Sequence, residues 1–167
     1  MDKGLYPFRG TPLVKYALDI LQPLCDDVLI STNDPESYKS FGVKTVTDIF
    51  TDCGPLGGIH SGLTHTNSDL IALIPCDTPF VPPALYTYLQ DHCGNHQAII
   101  PTHSKYVEPM CALYAKNCLG HIEQAISEKR YKILEALKTA DVSFINVEDQ
   151  AFFGPEIFHN INYKENL

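Results

Sequence analysis

Strand-forming and helix-forming stretches take turns along the whole chain, and this alternation leaves few folds open. Asp69 to Pro75 (Asp-Leu-Ile-Ala-Leu-Ile-Pro) is nearly all apolar, as expected of a strand buried on both faces of a sheet. Asp27 to Thr32, Lys44 to Val46, Gln97 to Pro101, Met110 to Tyr114 and Val142 to Val147 read as further strands. Between them lie helical patterns. Thr11-Pro12 reads as an N-cap and first-turn proline ahead of Leu13, Ala17, Leu18 and Leu21 at helical spacing. Pro35 to Phe41 predicts a short helix. Ile59 and Leu63 mark another after the turn at Asp52-Cys53-Gly54-Pro55, Pro82-Pro83 opens a fourth through Leu85, Tyr88 and Leu89, and Leu119 to Leu137 reads as a fifth. Such alternation predicts a single three-layer α/β/α domain with a mostly parallel sheet and helices on both faces. At 167 residues the chain fits one domain, long enough to bury roughly 70% of its unfolded surface.

Composition narrows the partners. Twenty acidic residues against 12 basic ones give a formal charge of −8, and the arginines are only Arg9 and Arg130. A nucleic-acid or anionic-membrane surface would need a basic patch, so neither partner is expected. Apolar runs fall far short of the ~20 residues that span a bilayer. The first residues carry neither a basic n-region nor an apolar h-region, and the chain reads as cytoplasmic. The six cysteines, at 25, 53, 76, 93, 111 and 118, have no zinc-type spacing and read as reduced, mostly buried thiols.

Ligands of such sheets gather beyond the carboxyl ends of the strands, so residues just after strand-like runs carry the information. Asp77, in Ile74-Pro75-Cys76-Asp77-Thr78-Pro79-Phe80, leaves a buried strand into a proline-stiffened turn. It suits a hard cation that shares substrate phosphates, or a cap on the next helix. The glycines around Pro55 let backbone approach a ligand ahead of a helix N-terminus, or serve a turn alone. Lys3 suits a phosphate as a point charge, or is a solvated terminal residue. Asn160 and Asn162 share one face of an extended segment, for a polar ligand or as a turn.

In this order, six pieces resemble the molybdenum cofactor guanylyltransferases and their cytidylyl relatives. They are Asp2-Lys3-Gly4, Gly10-Thr11-Pro12-Leu13, Gly54-Pro55-Leu56-Gly57-Gly58, Cys76-Asp77-Thr78-Pro79-Phe80, Glu108-Pro109 before Ala112-Leu113-Tyr114, and Asn160-Ile161-Asn162. The resemblance spans essentially the whole chain and implies a Rossmann-like nucleotidyltransferase. It would transfer GMP from GTP to molybdenum-molybdopterin, releasing pyrophosphate, with Mg²⁺ as cofactor. A cytidylyl or other nucleotidyl transferase, or an inactive truncated binding module, stands as the alternative. By the same resemblance, Lys3 and Asp77 are catalytic and Asp77 holds the metal. Lys3, Asn33, Asp48, Gly54, Pro55 and Leu56 bind nucleotide, and Asn160 and Asn162 bind the pterin. Other proteins of molybdenum-cofactor biosynthesis, or recipients of the product, are the implied partners.

One departure matters. Family members carry a glycine-rich loop and a first strand ahead of the Asp-Lys pair, and neither is in this sequence. Residues 1–167 are therefore expected to be an N-terminally incomplete nucleotidyltransferase domain. The strands about Val28 to Ser31 and Leu70 to Pro75 would be left with unpaired backbone groups. Each such group costs on the order of 1–3 kcal/mol, against a total stability of roughly 5–15 kcal/mol.

Overall fold

The computed structural model describes residues 2–162. A 3-10 turn, Lys3–Leu5, precedes a hairpin of β1 (Pro7–Phe8) and β2 (Thr11–Pro12), and α1 (Leu13–Leu21) follows at once. Helix α1 buries Leu13, Val14, Leu18 and Leu21 on the expected face. Thr11 does not cap it. Thr11 sits opposite Phe8 in the hairpin, and the N-cap position falls to Pro12, which offers no side-chain bond. Next, β3 (Leu29–Ser31) and β4 (Lys44–Val46) pair in parallel, linked through the 3-10 helix Pro35–Phe41. The remaining elements are α2 (Pro55–His65), β5 (Leu70–Ala72), α3 (Pro83–Asp91), β6 (Ala98–His103), β7 (Tyr106–Val107), β8 (Leu113–Ala115), α4 (Leu119–Ser127), α5 (Ile133–Ala136) and β9 (Val142–Asn146). The long helical pattern from Leu119 is thus two helices, separated at Lys129, whose φ of 56° is left-handed.

In the larger sheet, β8 runs antiparallel to both β5 and β6, while β9 runs parallel to β6. Strands β5, β6 and β9 therefore point the same way, with β8 reversed between β5 and β6. Side-chain alternation divides this sheet between two cores. Ala98 and Ile100 of β6, with Ala112 and Tyr114, pack against Leu56, Ile59 and Leu63 of α2 and Ile122 of α4. Ile99 and Leu113 face the opposite way, onto Leu85 and Leu89 of α3 and Ile20 and Leu21 of α1. Burial on both faces explains the unbroken apolar runs in this half of the chain.

Strand β5 departs from its sequence pattern. Only Leu70–Ala72 are strand, and each is part-exposed rather than buried on both faces. The cause lies beside it. The β3–β4 pair and the larger sheet are not joined by hydrogen bonds among the described residues. Between β3 and β5 runs a cleft of about 680 Å³, walled by Ile30 and Ile71 and covered by Leu18 and Leu21 of α1 and Ile59 of α2. Asp2 also lines this cleft.

Candidate active site

Lys3 and Asp77 lie 74 residues apart, yet Lys3 Nζ donates to Asp77 Oδ2 at 2.5 Å. The turn around Lys3 accounts for half of this contact. Asp2 Oδ1 accepts from the Gly4 N–H at 3.0 Å and from the Tyr38 hydroxyl at 2.6 Å. Burial, helped by the Asp2 carboxylate, pushes the Tyr38 phenol well above its ordinary range, so it serves as a neutral donor. A Cβ on Gly4 would stand 2.5 Å from the Tyr38 hydroxyl oxygen, which is why glycine follows the lysine. With Asp2 and Gly4 turned onto Tyr38, Lys3 reaches across to Asp77.

The other half comes from the exit of β5. Thr78 Oγ1 donates to the Pro75 carbonyl at 3.0 Å, closing the turn that carries Cys76 and Asp77. Helix α3 starts at Pro83 with Pro82 at its N-cap and no side-chain cap. The cap reading of Asp77 therefore fails, and its carboxylate is committed to Lys3. Burial and the adjacent Asp77 push the Cys76 thiol up to about 11, so it stays protonated near neutrality and is no nucleophile.

Asp77 also anchors the C-terminal segment. Its carbonyl accepts from the Ile161 N–H at 2.8 Å, and Ile161 is buried with Phe8 and Leu13. Strand-like alternation then leaves Asn160 and Asn162 exposed on either side of Ile161. Asn160 lines a second cavity, of about 260 Å³, together with Asp77.

Asp48, just after β4, forms a neighbouring group. Its Oδ1 accepts from the Ser31 hydroxyl at 2.8 Å. Buried Ser61 of α2 holds the loop by donating to the Thr47 carbonyl and accepting from the Ile49 N–H. A Cβ on Gly57 would meet the Phe50 carbonyl at 2.9 Å and Asp48 Oδ2 at 3.2 Å, so glycine in this first turn admits the Asp48 loop. Gly54 is the N-cap of α2 and Pro55 opens it. Leu56 is fully buried in the core, so its side chain is closed to a ligand. Asn33 is exposed after β3.

Two residues near this edge, Arg9 and Glu108, are given no role by the sequence pattern, although Glu108 lies in one of the six family-like pieces. Arg9, in the β1–β2 turn, lays its guanidinium over Phe8 (5.0 Å) and Phe80 (5.8 Å), three residues beyond Asp77. Glu108 lines the second cavity across from Asp77. An isolated arginine carries no local signal, and Glu108-Pro109 marks a family-like piece without assigning the carboxylate a role, because only the folded loops bring these side chains to the strand ends.

Among the described residues, no group of three or more His, Cys, Asp or Glu side chains could hold a metal alone. No helix among them is long and apolar enough to cross a membrane. All six cysteines are free thiols, with Cys53, Cys111 and Cys118 buried.

The strand ends of this α/β fold thus carry a lysine–carboxylate pair and a glycine-led helix N-terminus. The family model described as the MobA-like NTP transferase domain matches residues 1–142, and the chain belongs to that family. A molybdenum cofactor guanylyltransferase of Aliivibrio fischeri is 32% identical over 99% of this chain and 84% of its own length. One from Desulfosudis oleivorans is 30% identical with the same coverage. Among solved structures, the molybdopterin-guanine dinucleotide biosynthesis protein A of Archaeoglobus fulgidus superposes with a TM-score of 0.81 at 27% identity, covering 97% of this chain and 85% of that one. The 2-C-methyl-D-erythritol 4-phosphate cytidylyltransferase of Thermus thermophilus shares the fold at 12% identity, with a TM-score of 0.73 and 97% and 88% coverage. The chain is a nucleotidyltransferase with a Rossmann-like fold.

Proposed function

We propose that this nucleotidyltransferase moves GMP from GTP to the terminal phosphate of molybdenum-molybdopterin, forming the guanine dinucleotide cofactor. The observation that carries the reading is the Lys3–Asp77 contact, with the Asn160 segment hydrogen-bonded to the same Asp77. A charge pair for phosphates and a polar segment for a second ligand thus meet at one strand end. The acceptor phosphate oxygen forms a bond to the α-phosphorus as the bond from that phosphorus to the bridging oxygen breaks, and pyrophosphate leaves. Chemistry of this kind needs positioning and charge neutralisation more than covalent help.

Lys3 turns from Asp77 to the phosphates as a point charge. Asp48, fixed by Ser31, accepts from the N1–H and 2-amino group of guanine, a donor pair that cytosine lacks. The first turn of α2, from Gly54 to Leu56, offers main-chain N–H groups to phosphate or ribose, and Asn33 lies on the same nucleotide side. Asn160 and Asn162 face the pterin. One carboxylate completed by phosphate oxygens and water is the donor set Mg²⁺ uses, so Asp77 fits this ion as its protein ligand. Bound there, Mg²⁺ would neutralise charge on the α- and β-phosphates.

The cleft between β3 and β5 is read as the seat of one further strand of this polypeptide, lying N-terminal to Met1. Two strand edges, unpaired among the described residues, face an apolar slot, and Asp2 lines it. A strand there would join the two sheets and end close to the Asp2-Lys3 turn.

The test of function is incubation with radiolabelled GTP, Mg²⁺ and molybdenum-molybdopterin, using the chain alone and extended upstream of Met1. Dinucleotide and pyrophosphate should form in equal amounts, with GTP preferred over CTP. Tight binding of both ligands without turnover in either polypeptide would favour the inactive binding module.

A further inference from the structure

The second cavity holds a carboxylate that the reaction described above does not use. Its walls include Pro75, Asp77, Glu108, Met110, Cys111 and Asn160. The backbone at Glu108 is tied down at three points. The Glu108 N–H donates to the Pro101 carbonyl at 3.0 Å, and its carbonyl accepts from the Cys111 N–H at 3.1 Å. The Tyr114 hydroxyl donates to the Pro109 carbonyl at 2.6 Å.

The side chain is held as well. His103 Nε2 lies 2.9 Å from Glu108 Oε1, and a carboxylate acceptor requires the hydrogen to sit on that nitrogen. Their side chains are 18% and 27% exposed, so the pair is shielded yet open on one side. The imidazole stacks on Phe158, with centroids 4.9 Å apart and planes at 21°, and touches Tyr106 and Phe153. A histidine gripped by three aromatic rings fixes Glu108 Oε1. Oε2 has no protein partner among the described residues.

We infer that Glu108, oriented by His103, reads the N3–H and 2-amino edge of the acceptor's pterin ring in this cavity. This rests on the proposed transfer of GMP to molybdopterin and deepens it by assigning a specificity residue for the acceptor. The chemistry follows from the donor pattern. Pterin presents two adjacent N–H donors on one edge, and a carboxylate, with two acceptor sites on each oxygen, receives both even while His103 occupies one site. Pro75 and Met110 supply apolar surface for a flat ring. Guanine carries the same donor pair, and the site holds two separate carboxylates for it, Asp48 beside α2 and Glu108 across from Asp77. His103 acts through Glu108 and is a positioning residue.

The experiment titrates the full chain, alone and extended upstream of Met1, with two fluorescent probes. One is 6-hydroxymethylpterin and the other is 6-hydroxymethyllumazine, in which oxygen replaces the 2-amino group. Making or breaking one charge-assisted hydrogen bond corresponds to roughly a tenfold to hundredfold change in affinity. Wild type should prefer the pterin by that factor. In Glu108→Gln the preference should vanish or invert, because an amide donates to the lumazine oxygen and still accepts from N3–H. His103→Phe keeps the ring stack and should weaken the preference without abolishing it. GTP affinity should be unchanged in both variants.

A pterin preference in Glu108→Gln equal to wild type overturns the inference, and so does a loss of GTP affinity as large as the loss of pterin affinity. Failure of the underlying reading looks different. Wild type would then bind neither probe and form no dinucleotide, and the assignment of Glu108 would fall with it. Dinucleotide formation alongside an unchanged Glu108→Gln preference would sink the Glu108 assignment alone.

Discussion

Asp77→Asn separates the two kinds of work a carboxylate can do at this position. Asparagine keeps the shape and removes the charge, so Lys3 loses its ionic partner while the turn closed by Thr78 remains intact. The side chains of Lys3 and Asp77 are 35% and 16% exposed. A pair this open to solvent contributes at most about 1 kcal/mol to stability. For a chain of this length that is a change in melting temperature of about 2–4 °C. Turnover should respond on another scale. In the loaded site, removing the proposed metal ligand forfeits a charge-assisted interaction of about 1.5–3 kcal/mol, or roughly a tenfold to hundredfold fall in rate.

The assay measures pyrophosphate release against Mg²⁺ concentration for wild type and Asp77→Asn, in the chain extended upstream of Met1, with melting temperatures recorded on the same samples. The expected outcome is a small thermal shift, a large loss of turnover at low Mg²⁺, and partial recovery as Mg²⁺ rises. Near-wild-type turnover across the series would refute the metal-ligand role. A melting temperature lowered by more than about 10 °C would refute the energetic argument, because the lost rate would then track unfolding.

Further outcomes follow from the same site. Gly4→Ala should destabilise the fold by about 1–3 kcal/mol in thermal or urea melts, through overpacking on the Tyr38 hydroxyl; in a Tyr38→Phe background, which removes that oxygen, the penalty should shrink markedly. Asp48→Asn should weaken GTP relative to CTP by roughly a tenfold to hundredfold in a competition assay, and an unchanged ratio would move Asp48 from the base to the ribose. Burial holds the Cys76 thiol up at about 11, with Asp77 adding to it, and burial holds Cys111 up at about 12. The folded state thus favours the neutral thiols: their contribution is intact below the unfolded thiol value near 9 and is lost as pH climbs towards 11–12, so melting temperature should fall over that window and fall less steeply in Cys111→Ala. A polypeptide extended upstream of Met1 should melt at higher temperature and more cooperatively than the chain from Met1, and equal midpoints would argue against a strand in the β3–β5 cleft.

Local sequence was enough to determine most of the elements. Helix α1 carries its apolar stripe at Leu13, Leu18 and Leu21, and β4 covers Lys44–Val46, because periodicity reflects which face is buried. Family resemblance pointed to Lys3, Asp77 and the Asn160 segment, since each lies in a short motif. Only the tertiary structure decided how these pieces meet. Nothing local in Asp2-Lys3-Gly4 reveals that Tyr38 receives the turn and sends Lys3 to Asp77, a contact spanning 74 residues. The apolar run Asp69 to Pro75 points to burial on both faces, yet β5 is part-exposed and one of its edges is unpaired among the described residues. An apolar pattern records what a strand is suited to touch, and only the assembled sheet determines whether a neighbour is there. Leu56 sits in a ligand-type motif, but the helix rotates its side chain into the core, away from any ligand. Glu108 lies in a family-like piece, yet the sequence assigns its side chain no role, for the converse reason. Its significance comes from His103 and from the cavity across from Asp77, and those are relations between loops that meet only when the sheet is built.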